Sequence, residues 1–145
     1  MGTLSAGDES LRETDVLSAL QVWMSAGFGQ SEWSTPLTWS LAPTGAKAMA
    51  LFRKKAGSID LVGASAGAST DFLYLCKELG AATPMRGLQE RHVVGLGRLA
   101  WSVSGNRITL ITFALYERRA DLSRLGEIGS MAERCFSASL VHRAS

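Results

Sequence analysis

The stretch SIDLVGASAGASTDFLYL, residues 58–75, joins an apolar run, a turn of small residues and a helical pattern. The run at residues 59–62 favours a β-strand, and Ser69–Asp71 offers side chains that cap helix starts. From Phe72 onward, apolar residues recur at three- and four-residue spacing, which predicts a helix with one buried face. A strand that passes through residues 63–67 into a helix is therefore the first expected unit of the fold.

The same turn raises the possibility of an enzyme. Gly63-Ala-Ser65-Ala-Gly67 matches G-x-S-x-G, the motif that presents the nucleophile of many serine hydrolases, and Asp121 and His142 follow in the chain order of those enzymes. However, the capping residues at 69–71 come too late to place Ser65 at the start of the helix. No upstream glycine-rich loop supplies an oxyanion hole either. Ser65 is therefore interpreted as a turn residue, with a serine hydrolase as a remote alternative.

The remaining elements follow from caps, turns and hydrophobic periodicity. A capping box at Ser10 and Glu13 begins a first helix, which ends at Gly27. The other expected elements are strands at 37–41, 46–55, 58–63, 92–103 and 107–116, and helices from about 69 to 80 and 121 to 140. The expected fold class is α+β, a single domain over residues 1–145 in the order α-β-β-β-α-β-β-α, with residues 1–9 disordered. Its sheet is twisted, mainly antiparallel and packed by helices.

Composition excludes several classes of protein. The chain has 145 residues, of which 46% are hydrophobic and 19% charged, as in an ordinary globular domain. The first fifteen residues contain acidic side chains and no apolar core, so a secretory signal is not predicted and a cytoplasmic protein is expected. Cys76 and Cys135 are expected to be reduced buried thiols. His92 and His142 lack partners at metal-ligand spacing, so neither a metal nor a cofactor is predicted.

The charge distribution does not indicate nucleic acid or membrane binding. Residues 1–46 hold five acidic side chains and one basic one, whereas residues 47–145 hold fourteen basic and eight acidic ones. Those bases are scattered and are not interleaved with aromatic residues, which is typical of a solvated basic face. The charge run at residues 117–121 is likewise interpreted as a solvated helix start. No apolar run is long enough to span a bilayer.

The aromatic residues give the positive signal. Large apolar side chains crowd the first forty-one residues, more than one short helix and one strand need to bury. We expect some of them to anchor a partner protein in an apolar groove. The predicted anchors are Leu20, Trp23, Phe28, Trp39 and Leu41.

The element order and two segments resemble the class I chaperones of bacterial type III secretion systems. The segments are SIDLVGASAGASTDFLYLCKELGAA (58–82) and GRLAWSVSGNRITLITFALYERRADLSRLGEIGSMAERCF (97–136). The resemblance implies a cytoplasmic homodimer that is not an enzyme. It would bind the unfolded N-terminal segment of a secreted effector and keep it competent for secretion. Apolar positions on the second helix and on the 98–103 strand predict the dimer interface: Leu75, Leu99, Trp101 and Val103.

Two other protein-binding folds remain as alternatives. A roadblock-type dimeric scaffold also combines a helix, strands, a small-residue turn and a closing helix, but it places only two strands before its second helix. A PsbP-like or Mog1-like domain also ends in a hairpin and a helix. If residues 37–41 do not form a strand, the roadblock-type alternative gains support.

Overall fold

The computed structural model describes residues 33–56, 58–82, 87–105, 109–117 and 119–144. The predicted first helix lies outside these residues. The helices are α1 (Ser34–Trp39), α2 (Leu41–Thr44), α3 (Thr70–Ala82) and α4 (Leu122–Ala144). The strands are β1 (Ala48–Lys55), β2 (Ser58–Ala64), β3 (Leu88–Val93), β4 (Gly97–Ser104) and β5 (Thr109–Tyr116).

The strands form one antiparallel sheet in the order β2-β1-β5-β4-β3. β5 is the middle strand, with Phe113 opposite Ala50 of β1 and Trp101 of β4. β2 and β3 are the two edges. The predicted class is confirmed: α+β, with an antiparallel sheet packed by helices.

β5 shows why the sheet needs helices on both sides. Its sequence TLITFALY is apolar at successive positions, and every residue from Leu110 to Tyr116 is buried. Because neighbouring side chains of a strand point to opposite faces, both faces of the sheet must be covered. Helix α3 packs on one face, over β2, β1 and β5, while α1 and α4 pack on the other. We call these the α3 face and the α4 face.

The strand predicted at residues 37–41 is wrong, because this segment forms α1 and α2. Pro36 fits the first turn of α1, where its missing N–H is not needed. Leu37 and Leu41 are four residues apart and turn the same way, toward the buried cluster of the α4 face, whereas Trp39 is 53% exposed. The alternating pattern at residues 37–41 therefore contains two leucines four residues apart, a spacing that also fits one face of a helix.

The single strand predicted over residues 92–103 is wrong as well. The segment ends β3, turns at Val94–Leu96 and begins β4. Gly95 and Gly97 have φ of +87° and +127°, a region that L side chains rarely adopt. At Gly97 an added Cβ would lie 2.5 Å from the Tyr116 carbonyl oxygen, so β4 and β5 meet there without room for a side chain.

After these two corrections there are still five strands, as predicted, but they are divided differently before and after α3. Among the described residues, two strands precede α3 and three follow it. From residue 33 onward, the order of elements therefore differs from the one on which the chaperone resemblance rested. It is the order that the sequence analysis assigned to the roadblock-type alternative.

Candidate functional site

The turn around Ser65 is structural in its bonding. The strand–turn–helix unit forms as predicted, and α3 begins at Thr70, five residues beyond Ser65. The Ser65 side chain is buried: its Oγ accepts the Met49 backbone N–H at 2.8 Å and donates to the Ala66 carbonyl at 2.9 Å. The hydroxyl therefore ties the end of β2 to the start of β1.

Both thiols are buried, on opposite sides of the sheet. Cys76 of α3 belongs to the cluster on the α3 face and Cys135 of α4 to the cluster on the α4 face. Burial raises the pKa of each thiol, which keeps it protonated and unreactive at neutral pH. The expectation of buried free thiols is confirmed.

A cleft lies at one end of the α4 face, and we call it the end cleft. It has a volume of about 870 Å³. Its walls come from the end of α2, the β3–β4 hairpin and the segment that leads into α4. The lining residues are Pro43, Thr44, Gly45, Glu90, Arg98, Arg119, Ala120, Asp121 and Leu122.

Four charged side chains of both signs line this cleft. Arg98 Nη1 lies 3.3 Å from Glu90 Oε1, and both side chains are more than a third exposed. Arg119 and Asp121 stand on the segment before α4. The end cleft therefore offers cationic and anionic groups together, with no excess of either.

Asp121 is held in place by the start of α4. Its Oδ1 accepts the backbone N–H of Arg124 at 3.1 Å, which caps the helix, and the Tyr116 hydroxyl lies 3.5 Å from its carbonyl oxygen. Burial, and after it the Asp121 charge, raises the pKa of the Tyr116 phenol. Thr44 lies on the other side of the phenol, so a buried polar layer underlies the wall of the cleft.

The predicted partner-binding residues are only partly within the described chain. Leu20, Trp23 and Phe28 lie outside it. Trp39 is exposed on α1 and Leu41 is half-buried against the cluster of the α4 face. Both sit on helices and not on the predicted strand, so they do not form a row on a sheet, and their role as anchors stays a prediction.

The predicted dimer residues all belong to the cluster of the α3 face. Leu99 is fully buried and Trp101 is 8% exposed in the single chain, while Leu75 and Val103 are half-buried. Their side chains are occupied largely by contacts within the chain. Their role in a dimer stays a prediction.

Trp101 also carries a buried donor with no acceptor. Its Nε1 is inaccessible to solvent and has no hydrogen-bond partner among the residues that the structure describes. On the α4 face, the hydroxyl of Thr112 is in the same condition. Such groups are uncommon in folded proteins because each loses its hydrogen bond to water without replacement.

Sequence reasoning missed the end cleft as a site. The sequence predicts Arg119 and Asp121 only as members of a solvated charge run, without a binding role. Glu90 and Arg98 come together only because the chain reverses at Val94–Leu96, inside the segment that was predicted to be one strand. The paired glycines at 95 and 97 were the available signal for that reversal.

Two further searches of the described ranges gave negative results. Among these residues no three His, Cys, Asp or Glu side chains lie close enough to share a metal ion. Within the same ranges, none of the helices combines the length and the apolar character needed to cross a membrane.

Comparison with known proteins gives the fold but not a family. No protein-family model and no curated protein matches the chain. Among solved structures, the chain is similar to the GAF domain of a candidate sensor histidine kinase from Pseudomonas syringae pv. tomato. The TM-score is 0.69 at 13% identity, over 99% of this chain and 97% of that one.

A second structure is similar at a lower score. It is the free methionine-R-sulfoxide reductase from Neisseria meningitidis in complex with its substrate, with a TM-score of 0.55 and 13% identity over 90% of this chain and 92% of that one. At such identity the likeness is one of fold. One of the two neighbours is an enzyme, and that fact assigns no activity to this chain.

Proposed function

We propose that this chain is a regulatory binding domain that takes a small charged molecule in the end cleft and catalyses no reaction on it. The observation that carries the proposal is the cleft itself. Its volume of about 870 Å³ falls in the range of small-molecule sites, ~300–1,000 Å³. Side chains of both charge signs converge on it from three separate elements.

The chemistry around the cleft supports binding over catalysis. Thr44 is the one hydroxyl side chain in its lining, and that hydroxyl donates to the Ser40 carbonyl at 2.6 Å. No Cys or His belongs to the lining residues. The charged groups of the lining are the Glu90 and Asp121 carboxylates and the Arg98 and Arg119 guanidinium groups, a set that suits recognition of a charged ligand.

Ser65 supplies the test of the enzymatic alternative. Its hydroxyl is committed to two backbone groups, so we expect a fluorophosphonate probe to leave the folded protein unmodified. Intact-mass measurement before and after treatment checks this. Stoichiometric labelling that a Ser65→Ala variant abolishes would restore the serine hydrolase.

The fold neighbours support a regulatory role by analogy. The GAF domain is named as part of a sensor histidine kinase, a signalling protein, and the reductase structure holds a small substrate. The reductase shows that one protein of similar fold holds a substrate, but fold alone does not identify a ligand. The identity of the ligand therefore rests on the cleft of this chain.

A thermal-shift screen against a library of charged metabolites tests the proposal. A ligand present at a hundred times its Kd stabilises the folded state by about 2.7 kcal/mol, which is readily seen as a rise in Tm. Arg119→Ala should clearly reduce the shift, because Arg119 lines the cleft. Arg134→Ala removes an equally exposed arginine from α4 outside the lining and should leave the shift intact.

The result that contradicts the proposal is equally clear. If ligands raise the Tm of the wild type and of Arg119→Ala by the same amount, the end cleft is not their site. If no compound in a broad charged library binds by thermal shift or calorimetry, the regulatory binding function fails.

A dimeric protein-binding scaffold is the second candidate. One observation favours it: two strands precede α3, the order that distinguishes the roadblock-type alternative. The exposed Trp39 and the edge strands offer surfaces for a partner. Sedimentation equilibrium at micromolar concentration checks the homodimer, and a stable monomer of 15.5 kDa would contradict it.

The secretion-chaperone function stays a prediction from the resemblance. It requires that the dimer capture an unfolded effector segment, which co-purification with proteins encoded beside it would detect. The end cleft is too small and too charged to hold an extended apolar segment, so chaperone activity would use a different surface.

A further inference from the structure

We propose that the ligand of the end cleft is a small zwitterion of the amino-acid type, with its carboxylate on Arg119 and its ammonium group on Asp121. The inference rests on the proposed binding function and names the class of its ligand. It starts from the pairing of charges in the cleft.

Two of the four charged side chains in the cleft, Glu90 and Arg98, already form an ion pair with each other. Glu90 and Arg98 form an ion pair at 3.3 Å across β3 and β4, so they close one wall of the cleft without presenting net charge. A ligand that competed for either would have to break this pair. The groups available to a ligand are therefore those on the wall formed by the segment before α4.

Arg119 and Asp121 make up that wall and remain available. Among the described residues, the Arg119 guanidinium has no hydrogen-bond or ion-pair partner, and Asp121 uses only Oδ1, for the cap on Arg124. The second carboxylate oxygen of Asp121 has no partner in the same part of the chain. One cation and one anion, two residues apart, thus border the same cavity.

The balance of charge selects the ligand. A purely anionic ligand would be attracted by Arg119 but repelled by the Asp121 carboxylate. A purely cationic ligand would be attracted by Asp121 but repelled by Arg119. A molecule with an ammonium and a carboxylate on neighbouring atoms satisfies both. Pro43, Ala120 and Leu122 add apolar wall for its side chain.

Calorimetry with the common L-amino acids at millimolar concentration tests the inference. We expect at least one to bind, and its N-acetyl and its carboxamide derivatives to bind about ten-fold more weakly or not at all, since each removes one charged contact. The same two derivatives separate the roles of the two side chains. An N-acetyl derivative that binds as tightly as the parent amino acid would overturn the zwitterion.

The variants are chosen so that the fold survives. Asp121→Asn keeps a helix cap of equal quality while removing the negative charge, and Arg119→Gln changes an exposed side chain. Each should weaken amino-acid binding about ten-fold, with an unchanged Tm in the absence of ligand. Arg134→Gln is the matched control and should bind like the wild type.

The outcomes separate this inference from the proposed function. If no amino acid binds, or if Asp121→Asn binds amino acids as well as the wild type does, the zwitterion is wrong. A different metabolite whose binding still depends on Arg119 would then leave the regulatory binding domain standing. If no compound of any class binds in the end cleft, both the zwitterion and the regulatory binding domain are wrong.

Discussion

The two faces of the sheet bury their side chains in different ways. The α3 face is closed by large apolar groups: Phe52 and Phe113 meet edge to face with ring centroids 5.6 Å apart, and Trp101 lies 6.3 Å from Phe113. The α4 face also has an aromatic pair, Trp33 and Phe136 with ring centroids 5.6 Å apart, but in addition it buries hydroxyl groups. They belong to Ser40, Thr44, Ser102, Thr112 and Tyr116. One face is thus held by packing alone, and the other combines packing with hydrogen bonds.

The difference explains why the end cleft lies where it does. Large apolar side chains fill space around themselves, whereas short hydroxyl side chains let the backbone of α4 approach the sheet closely. Ser104 Oγ donates to the Gly129 carbonyl at 3.2 Å, which fixes α4 against β4. At the start of α4 the close packing ends, and the charged cleft opens there.

The largest expected effect tests the apolar face. Phe113→Ala should lower the free energy of unfolding by about 3–5 kcal/mol, because the ring is fully buried between two other aromatic rings. Tyr74→Ala, in which a 64% exposed ring is removed from α3, should change it by less than about 0.5 kcal/mol. Urea denaturation measures both, and equal losses would mean that this face is not held by packing.

The close approach on the α4 face gives the next effect. A Cβ at Gly129 would lie 2.7 Å from Ser102 Oγ and 3.1 Å from Ser102 Cβ, so Gly129→Ala forces α4 away from the sheet. Overpacking costs about 1–3 kcal/mol, against a gain of about 1 kcal/mol in helix propensity. We expect a net loss of up to about 2 kcal/mol in denaturant unfolding.

Gly126 supplies the control three residues earlier on the same helix. A Cβ there has its nearest neighbour, Leu88 Cδ2, at 3.6 Å, an ordinary contact. Gly126→Ala should therefore stabilise the protein by up to about 1 kcal/mol. If both alanine variants shift stability in the same direction, close contact at Gly129 does not determine the spacing of α4.

The sequence predicted elements best where a single pattern was possible. β5, β2 and α3 were found because a continuous apolar run and a capped helical stripe allow no second interpretation. The strand predicted at residues 37–41 is wrong because the spacing of Leu37 and Leu41 fits a two-residue period and a four-residue period equally well. Packing favours the helix, because Leu37 and Leu41 both contact the cluster of the α4 face. Within the helix, the hydroxyls of Thr38 and Ser40 donate to carbonyl groups four residues back, at 2.8 and 2.7 Å.

The candidate site was harder to predict than the fold. It is assembled from α2, a hairpin that was read as one strand and the segment before α4, and no motif joins residues so far apart in sequence. The Glu90–Arg98 ion pair depends on the pairing of β3 with β4, which makes the two residues diagonal neighbours: Glu90 lies opposite Ala100, and Arg98 lies opposite His92. A single sequence shows the charges but not which of them meet.

Alkaline pH should weaken both faces through their buried acids. Burial raises the pKa of Cys76 above its ordinary 9.0 and that of Tyr116 above its ordinary 10.0. The neutral forms are favoured in the folded state, so their stabilisation is complete below pH 9 and is lost as the unfolded chain ionises above it. Each group then lowers stability by up to about 1.4 kcal/mol per pH unit.

Urea midpoints measured between neutral pH and about pH 11 check this dependence. Cys76→Ala removes the thiol on the α3 face that ionises in the unfolded chain. The variant should be less stable than the wild type at neutral pH, but its free energy of unfolding should fall less steeply above pH 9. A wild-type midpoint that stays constant through this range would show that neither group changes its pKa on folding.

The smallest effect separates two hydroxyl groups on the α4 face that look alike in sequence. Thr112 Oγ1 is buried with no hydrogen-bond partner, whereas Thr44 Oγ1 donates to the Ser40 carbonyl at 2.6 Å. Thr→Val keeps the shape and removes the hydroxyl. Thr112→Val should therefore raise the free energy of unfolding by about 1 kcal/mol, since an unsatisfied buried group is removed.

Thr44→Val should do the opposite and lower it by about 0.5–1.5 kcal/mol, the net contribution of a typical hydrogen bond. Because Thr44 also lines the end cleft, this variant should weaken ligand binding, whereas Thr112→Val should not. If Thr112→Val destabilises the protein as much as Thr44→Val does, the Thr112 hydroxyl has a partner such as a bound water. The α4 face would then be a fully satisfied polar network, and only the α3 face, at Trp101, would keep an unpaired donor.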